Sequence, residues 1–134
     1  MTLGLGIAVS ASTAAAQVMC ASTMTANGPA QIGTTLQVTI MGNPQCHSCL
    51  WVSKNAGPTP IGPVTIPIGL PVLTSMDYGP LPVSGTLVLN IPIPADPNLI
   101  GLQIYMTNVG YPAGIPPSLT NIGFSPALVL TITP

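Results

Sequence analysis

Apolar and polar residues alternate in several short stretches of the chain. Over residues 34–41, the apolar side chains Leu36, Val38 and Ile40 are separated by polar ones. Side chains of a strand point alternately to its two faces, so this period of two predicts a strand with one buried face. The same pattern predicts further strands over residues 85–91, 102–109 and 127–133.

Prolines and glycines punctuate the remaining apolar runs. Residues 50–53 form a short apolar run that a turn over residues 54–58 closes. Residues 63–73 contain three regularly spaced prolines, which cannot donate to a sheet ladder, so we expect an edge strand there. Together these patterns predict about seven short strands with turn signals between them. This is typical of an all-β, antiparallel two-sheet β-sandwich. An open barrel is the competing fold.

One short segment has helical signals. Asp96 is suited to cap a helix, Pro97 to occupy its first position and Gly101 to end it. We therefore predict one short helical turn near residues 96–101, with a capping rather than a catalytic role for Asp96.

The first sixteen residues differ from the rest of the chain. They are apolar, uncharged and end in three alanines, which is typical of a signal-peptide remnant without its basic start. This places a single β-sandwich domain at residues 17–134, and the apolar stretch is too short for a membrane span. Its apolar side chains also alternate, so the alternative is a donated N-terminal strand. The face of that strand would be Leu3, Leu5, Ile7 and Val9.

Charged residues are almost absent. The 134 residues include one Lys or Arg, two Asp or Glu and one His. A nucleic-acid interface needs a basic surface, and acid–base catalysis needs carboxylates or histidines, so we expect neither nucleic-acid binding nor enzymatic activity. No catalytic, cofactor-binding or metal site and no small-molecule substrate is indicated. The three charges, Lys54, Asp77 and Asp96, fall in predicted turns or at the cap, with His47 in a surface loop.

The three cysteines are the residues most capable of chemistry. Cys46 and Cys49 have the spacing of a redox dithiol, but a strand-like run follows them instead of a helix. A zinc site from these cysteines, Cys20 and His47 has the right ligand count but an awkward loop geometry. We favour a structural disulfide from Cys20 to either Cys46 or Cys49, which closes a loop of about 25 residues worth ~3 kcal/mol. The remaining cysteine could pair between subunits.

Four aromatic residues could bind carbohydrate by stacking. They are spread widely along the sequence, which favours a packing role instead. They are Trp51, Tyr78, Tyr105 and Tyr111.

Three motifs resemble a known group of proteins. They lie at residues 28–36 (GPAQIGTTL), 91–105 (IPIPADPNLIGLQIY) and 125–132 (SPALVLTI). Together they resemble small secreted β-sandwich domains of planctomycetes and other bacteria with large secretomes. The resemblance implies a secreted sandwich without a family-wide catalytic site. The early Cys46-His47-Ser48-Cys49 segment departs from the usual pattern, so no disulfide pairing is carried over.

The charge deficit suggests what such a domain does. Without charge repulsion or charged strand edges, a freely diffusing monomer is poorly protected from association. We therefore expect a secreted, extracellular or cell-surface structural or adhesive module that associates with itself or with other extracellular proteins. The alternatives are a filament subunit polymerised by strand donation through the N-terminal segment, and a secreted redox or metal-binding protein using Cys46 and Cys49.

Overall fold

The computed structural model describes residues 20–134, and this part of the chain is all-β, as predicted. The signal remnant and the donor face Leu3, Leu5, Ile7 and Val9 lie outside the described residues. Ten strands occur within residues 20–134 in place of the predicted seven or so, because the segments at residues 23–26, 56–61, 74–80 and 123–124 also pair. The strands are β1 Thr23–Ala26, β2 Thr35–Met41, β3 Cys46–Ser53, β4 Ala56–Ile61, β5 Val64–Ile68, β6 Thr74–Pro80, β7 Thr86–Pro92, β8 Gln103–Pro112, β9 Gly123–Phe124 and β10 Leu128–Thr131.

The strands form two main antiparallel sheets and a hairpin. The three-stranded sheet has the order β1-β2-β7. The five-stranded sheet has the order β10-β8-β3-β6, with β9 also paired to β8. Strands β4 and β5 form a separate two-stranded hairpin. Most neighbours in the main sheets are distant in sequence, so the topology depends on long-range pairing.

One hydrophobic core lies between the inner faces of the two main sheets. Val38 and Ile40 of β2 belong to the same buried cluster as Leu50 of β3 and Met106 of β8. Burying one such side chain stabilises the fold by roughly 1.5–3 kcal/mol. This shared core confirms the two-sheet sandwich, and the predicted alternation of β2 correctly identified its inward face.

A disulfide and a buried polar network join elements at one end of the sandwich. The disulfide connects Cys20, just before β1, to Cys46 at the start of β3. Nearby, the buried Asn108 of β8 accepts a hydrogen bond from Ser48 and donates one of 2.9 Å to Ser22. Its backbone N–H also donates to Ser125. Among the described residues, no buried side-chain nitrogen or oxygen lacks a hydrogen-bond partner.

The helical signals were correct and two of the turn assignments were wrong. A 3-10 turn spans Pro97–Leu99, and Asp96 accepts a hydrogen bond of 2.9 Å from the Asn98 backbone. Asp77, however, lies within β6 and not in a turn, so the strands are not all uncharged. The expected turn over residues 54–58 ends at Asn55, since Ala56 already begins β4.

The described residues contain no helix with the length and apolar character needed to cross a membrane.

Candidate functional site

Strand β3 separates the Cys46-His47-Ser48-Cys49 motif between the two faces of the five-stranded sheet. Cys46 and Ser48 are buried on the inner side, whereas His47 and Cys49 are half-buried and point to the outer side. His47 therefore belongs to a strand and not to the surface loop expected from the sequence. Because the two cysteines occupy opposite faces, and Cys46 is bonded to Cys20, this motif does not form a dithiol pair.

Cys49 is the cysteine outside the disulfide. Burial raises the pKa of its thiol, and the negative charge of Asp77 raises it further. Hydrogen bonds involving the Trp51 side chain and the Met76 backbone act in the opposite direction but do not reverse the shift. The thiol is therefore protonated near neutral pH, and it lacks the thiolate character that a nucleophile requires.

A small cleft lies on the outer face of the five-stranded sheet. Its volume is about 190 Å³. The register places Cys49 of β3 opposite Val109 of β8 on one side and Asp77 of β6 on the other, so these three residues form a row. Four more residues complete the lining. Trp51 of β3 and Tyr111 of β8 lie next to this row, and Pro117 and Ile122 belong to the connection between β8 and β9.

Asp77 is held in place from two directions. Its Oδ1 accepts a hydrogen bond of 3.0 Å from the Gly79 backbone and also contacts His47 Nε2. The Gly79 hydrogen bond, followed by that of His47, lowers the pKa of the Asp77 carboxyl. His47 in turn stacks on Tyr111, with ring centroids 4.9 Å apart and an angle of 17° between the planes. The cleft thus has an ionised carboxylate at its edge at neutral pH.

The four aromatic residues noted in the sequence are divided between different environments. Trp51 and Tyr111 line the cleft together, and Trp51 packs against Phe124 with ring centroids 6.0 Å apart. Tyr78 instead packs against the core, and the Tyr105 hydroxyl donates to Gln103. The structure therefore does not bring all four into one carbohydrate platform.

The residues of the cleft do not form a recognisable catalytic or metal-binding set. A nucleophile needs a neighbouring base, but the side chain of His47 contacts Asp77, and the Cys49 thiol is neutral. Within residues 20–134, no group of three or more His, Cys, Asp or Glu side chains could hold a metal ion. What the cleft does offer is one carboxylate beside two aromatic rings.

A second candidate surface is the outer face of the three-stranded sheet. Its strands contain no charged residue. One row across the sheet joins Thr25, Thr39 and Val88. Asn27 donates a hydrogen bond of 2.8 Å to Thr39, so neighbouring polar side chains satisfy one another along this face. The result is a neutral, exposed surface of threonine, amide and apolar groups.

The free edges of the two main sheets differ in their protection. On the five-stranded sheet, β6 carries Asp77, ends at Pro80 and has an irregular register with β3. Strands β1 and β10 have only four residues each. Strand β7 has seven residues, no charge and no proline before Pro92, and among residues 20–134 its sheet partner is β2 alone. An edge strand is usually protected from pairing with another chain by charges, bulges, prolines or short length. Strand β7 has the fewest of these features.

Neither a protein-family model nor a curated protein sequence matches this chain.

Sequence reasoning missed both surfaces. The cleft combines Cys49, Asp77 and Tyr111, which are separated by long stretches of chain and meet only through the register of β6, β3 and β8. The signal that was available is the outward face of β3, where the functional side chains of His47, Cys49 and Trp51 recur at every second position. The exposed edge of β7 was not predicted because strand order cannot be obtained from alternation alone.

Proposed function

We propose that this protein is a non-enzymatic, extracellular structural module that associates with a second copy of itself through strand β7. The observation that supports this most directly is the unprotected, uncharged edge of Thr86–Pro92. An exposed edge offers backbone N–H and C=O groups to another strand, and this is a general mode of β-sheet association.

Pairing of two β7 edges would satisfy the geometry of a symmetric dimer. Two antiparallel β7 strands related by a two-fold axis present the same residues to each other. Two sheets of three strands would then join into one continuous sheet of six. The net charge of −1 opposes this contact only weakly. The neutral outer face would continue across both copies and provide an extended adhesive surface.

Two further observations support an extracellular setting. The Cys20–Cys46 disulfide is consistent with an oxidising compartment. The sequence resemblance to small secreted domains agrees with it. With so few charges, the repulsion between copies of the protein in a matrix or on a surface is weak.

The test is the oligomeric state of a Val88→Lys variant. Val88 lies on the outer face of β7 and is 46% exposed, so a lysine there adds a charge at the edge without disturbing the core. We expect the wild type to dimerise with rising concentration in light scattering or sedimentation, and the variant to dissociate at least about tenfold more readily. The matched control is Val83→Lys, which adds the same charge in a loop at a side chain that is 95% exposed.

Two results would contradict edge pairing. A wild-type protein that stays monomeric up to about 1 mM would remove self-association altogether. If the Val88→Lys and Val83→Lys variants dimerise equally, the interface does not involve β7. Intact-mass analysis of the native oligomer separates edge pairing from strand donation, because subunits beginning at Gln17 lack Leu3, Leu5, Ile7 and Val9.

A further inference from the structure

Among residues 20–134, the lining of the cleft on the five-stranded sheet has one negative charge and no fixed positive charge. Asp77 is the carboxylate, and its side chain is 65% exposed. Its Oδ1 is engaged by Gly79 and His47, whereas its Oδ2 has no hydrogen-bond partner among residues 20–134. The chain's single lysine, Lys54, is not in the lining. The cleft is therefore suited to a cation and not to an anion.

The other lining residues indicate which kind of cation. Trp51 and Tyr111 supply aromatic rings, and Val109, Pro117 and Ile122 are apolar. A metal ion needs several oxygen, nitrogen or sulfur ligands, and a sugar needs several hydrogen-bond partners, which this lining does not provide. A quaternary ammonium has no N–H to satisfy and carries its charge on methyl groups, so it binds to aromatic faces and to a carboxylate.

We propose that this cleft binds a quaternary ammonium group, of the kind found in choline. The aromatic rings of Trp51 and Tyr111 contact the methyl groups, and the Asp77 carboxylate supplies the opposite charge. His47 is a positioning residue, because it holds Asp77 and stacks on Tyr111. A volume of about 190 Å³ suits a small head group, since drug-sized ligands occupy roughly 300–1,000 Å³.

The chain contains its own reporter for this binding. Trp51 is the only tryptophan, so a change in tryptophan fluorescence reports on the cleft. We expect choline chloride to change this fluorescence to saturation. The uncharged carbon analogue 3,3-dimethyl-1-butanol has the same shape, and we expect it to bind at least about tenfold more weakly. Equal binding of the two compounds, or no response to choline, would overturn the proposal.

A pair of charge variants tests the role of Asp77. Asp77→Asn removes the charge but keeps an oxygen that accepts from Gly79 and His47, so the fold is retained. We expect it to weaken choline binding at least about tenfold. Asp96→Asn removes the other carboxylate, which caps the 3-10 turn outside the cleft, and should bind choline like the wild type. A normal affinity in Asp77→Asn would contradict the proposal.

Thiol labelling gives a readout that does not depend on fluorescence. Cys49 lines the cleft, so bound choline should slow its alkylation by iodoacetamide, and the butanol analogue should not. Labelling that is insensitive to saturating choline would place the ligand elsewhere and overturn the proposal.

Two sources can supply the same head group, and vesicles distinguish them. Phosphatidylcholine vesicles that change Trp51 fluorescence as free choline does would identify a lipid head group as a ligand. Binding of free choline without vesicle binding would identify a soluble one. If glucose and not choline changes the fluorescence to saturation, the cleft is a carbohydrate site and the proposal is overturned.

Discussion

The two main sheets share one core but differ on their outer faces. The outer face of the three-stranded sheet has neutral residues such as Thr39 and Val88, and no other strand within residues 20–134 pairs with the outer edge of β7. The five-stranded sheet is covered over part of its outer side, so that Thr107 on that side is fully buried. The cleft with Asp77 is on the same side and is lined in part by the connection between β8 and β9. The exposed face is the one that we propose for association, and the partly covered face is the one that we propose for a small ligand.

The largest expected effect concerns the covalent connection between the two sheets. Replacing both Cys20 and Cys46 by serine removes a disulfide that spans 26 residues, and we expect a loss of about 3 kcal/mol in the free energy of unfolding. Urea denaturation measures it. Cys49→Ser is the control, since that thiol forms no disulfide. A similar loss in the control would show that the cleft, and not the disulfide, dominates stability.

The second prediction compares two asparagines on opposite sheets. Asn108→Leu leaves the buried Ser22 and Ser48 hydroxyls without their partner, so we expect a loss of about 2–3 kcal/mol. Asn90→Leu changes an exposed residue of β7 and should alter stability by no more than about 0.5 kcal/mol. Equal losses in thermal or urea unfolding would contradict the distinction between a covered and an exposed sheet.

The third prediction makes the same comparison with threonines. The Thr107 hydroxyl donates a hydrogen bond of 2.7 Å to the Ser125 carbonyl and is fully buried. We expect Thr107→Ala to cost about 1–2 kcal/mol, because that carbonyl loses a partner. Thr39→Ala removes a bond to the exposed Asn27 and should change stability by less than about 0.5 kcal/mol. The two unfolding curves, measured together, test the difference.

The smallest expected effect is a dependence on acid pH. The pKa of Asp77 is lowered in the folded protein, mainly by the Gly79 hydrogen bond. The ionised Asp77 therefore stabilises the fold at pH values above the ordinary pKa of a carboxyl group. This stabilisation is lost as the pH falls through the lowered pKa of the folded state. Thermal unfolding between neutral and strongly acid pH should decline less steeply in Asp77→Asn. A variant curve parallel to the wild type would show that Asp77 is not the responsible group.

The strands with clear alternation could be predicted from the sequence. Strands β2, β7 and β10 each have one face that is more buried than the other, and that difference appears directly as a period of two. Strand β8 also alternates in sequence, although both of its faces are buried from Met106 to Gly110. The capping pattern at Asp96 is similarly local and was also predictable. These features depend on residues that are close in sequence.

Two other strands could not be recognised for physical reasons. Strand β4 contains Pro58 and Pro60, which usually argue against a strand, but within residues 20–134 it pairs only with β5 in a hairpin and so needs few donors. Strand β6 contains Asp77 and Gly79, which resemble turn residues, and its register with β3 is irregular. In both cases the tertiary partner, and not the local sequence, determines the conformation.

The candidate site was less predictable than the fold. The motif at Cys46–Cys49 drew attention to the right strand, and the structural disulfide favoured from the sequence is present as Cys20–Cys46. The alternative of a redox pair does not fit the geometry, because alternation sends Cys46 and Cys49 to opposite faces. The partners Asp77 and Tyr111 become neighbours of this strand only through pairing with β6 and β8. A single sequence contains no direct record of such pairing.

The pairing of β2 with β7 also affects how the molecule folds. About fifty residues separate these strands along the chain, and such non-local contacts form slowly because a long loop must close first. Until β7 arrives, β2 has an open, uncharged edge of its own. The β7 strand of another molecule fits that edge as well as the native one does, so crowded refolding should favour exchange of β7 between molecules. Dilution should favour the closed monomer.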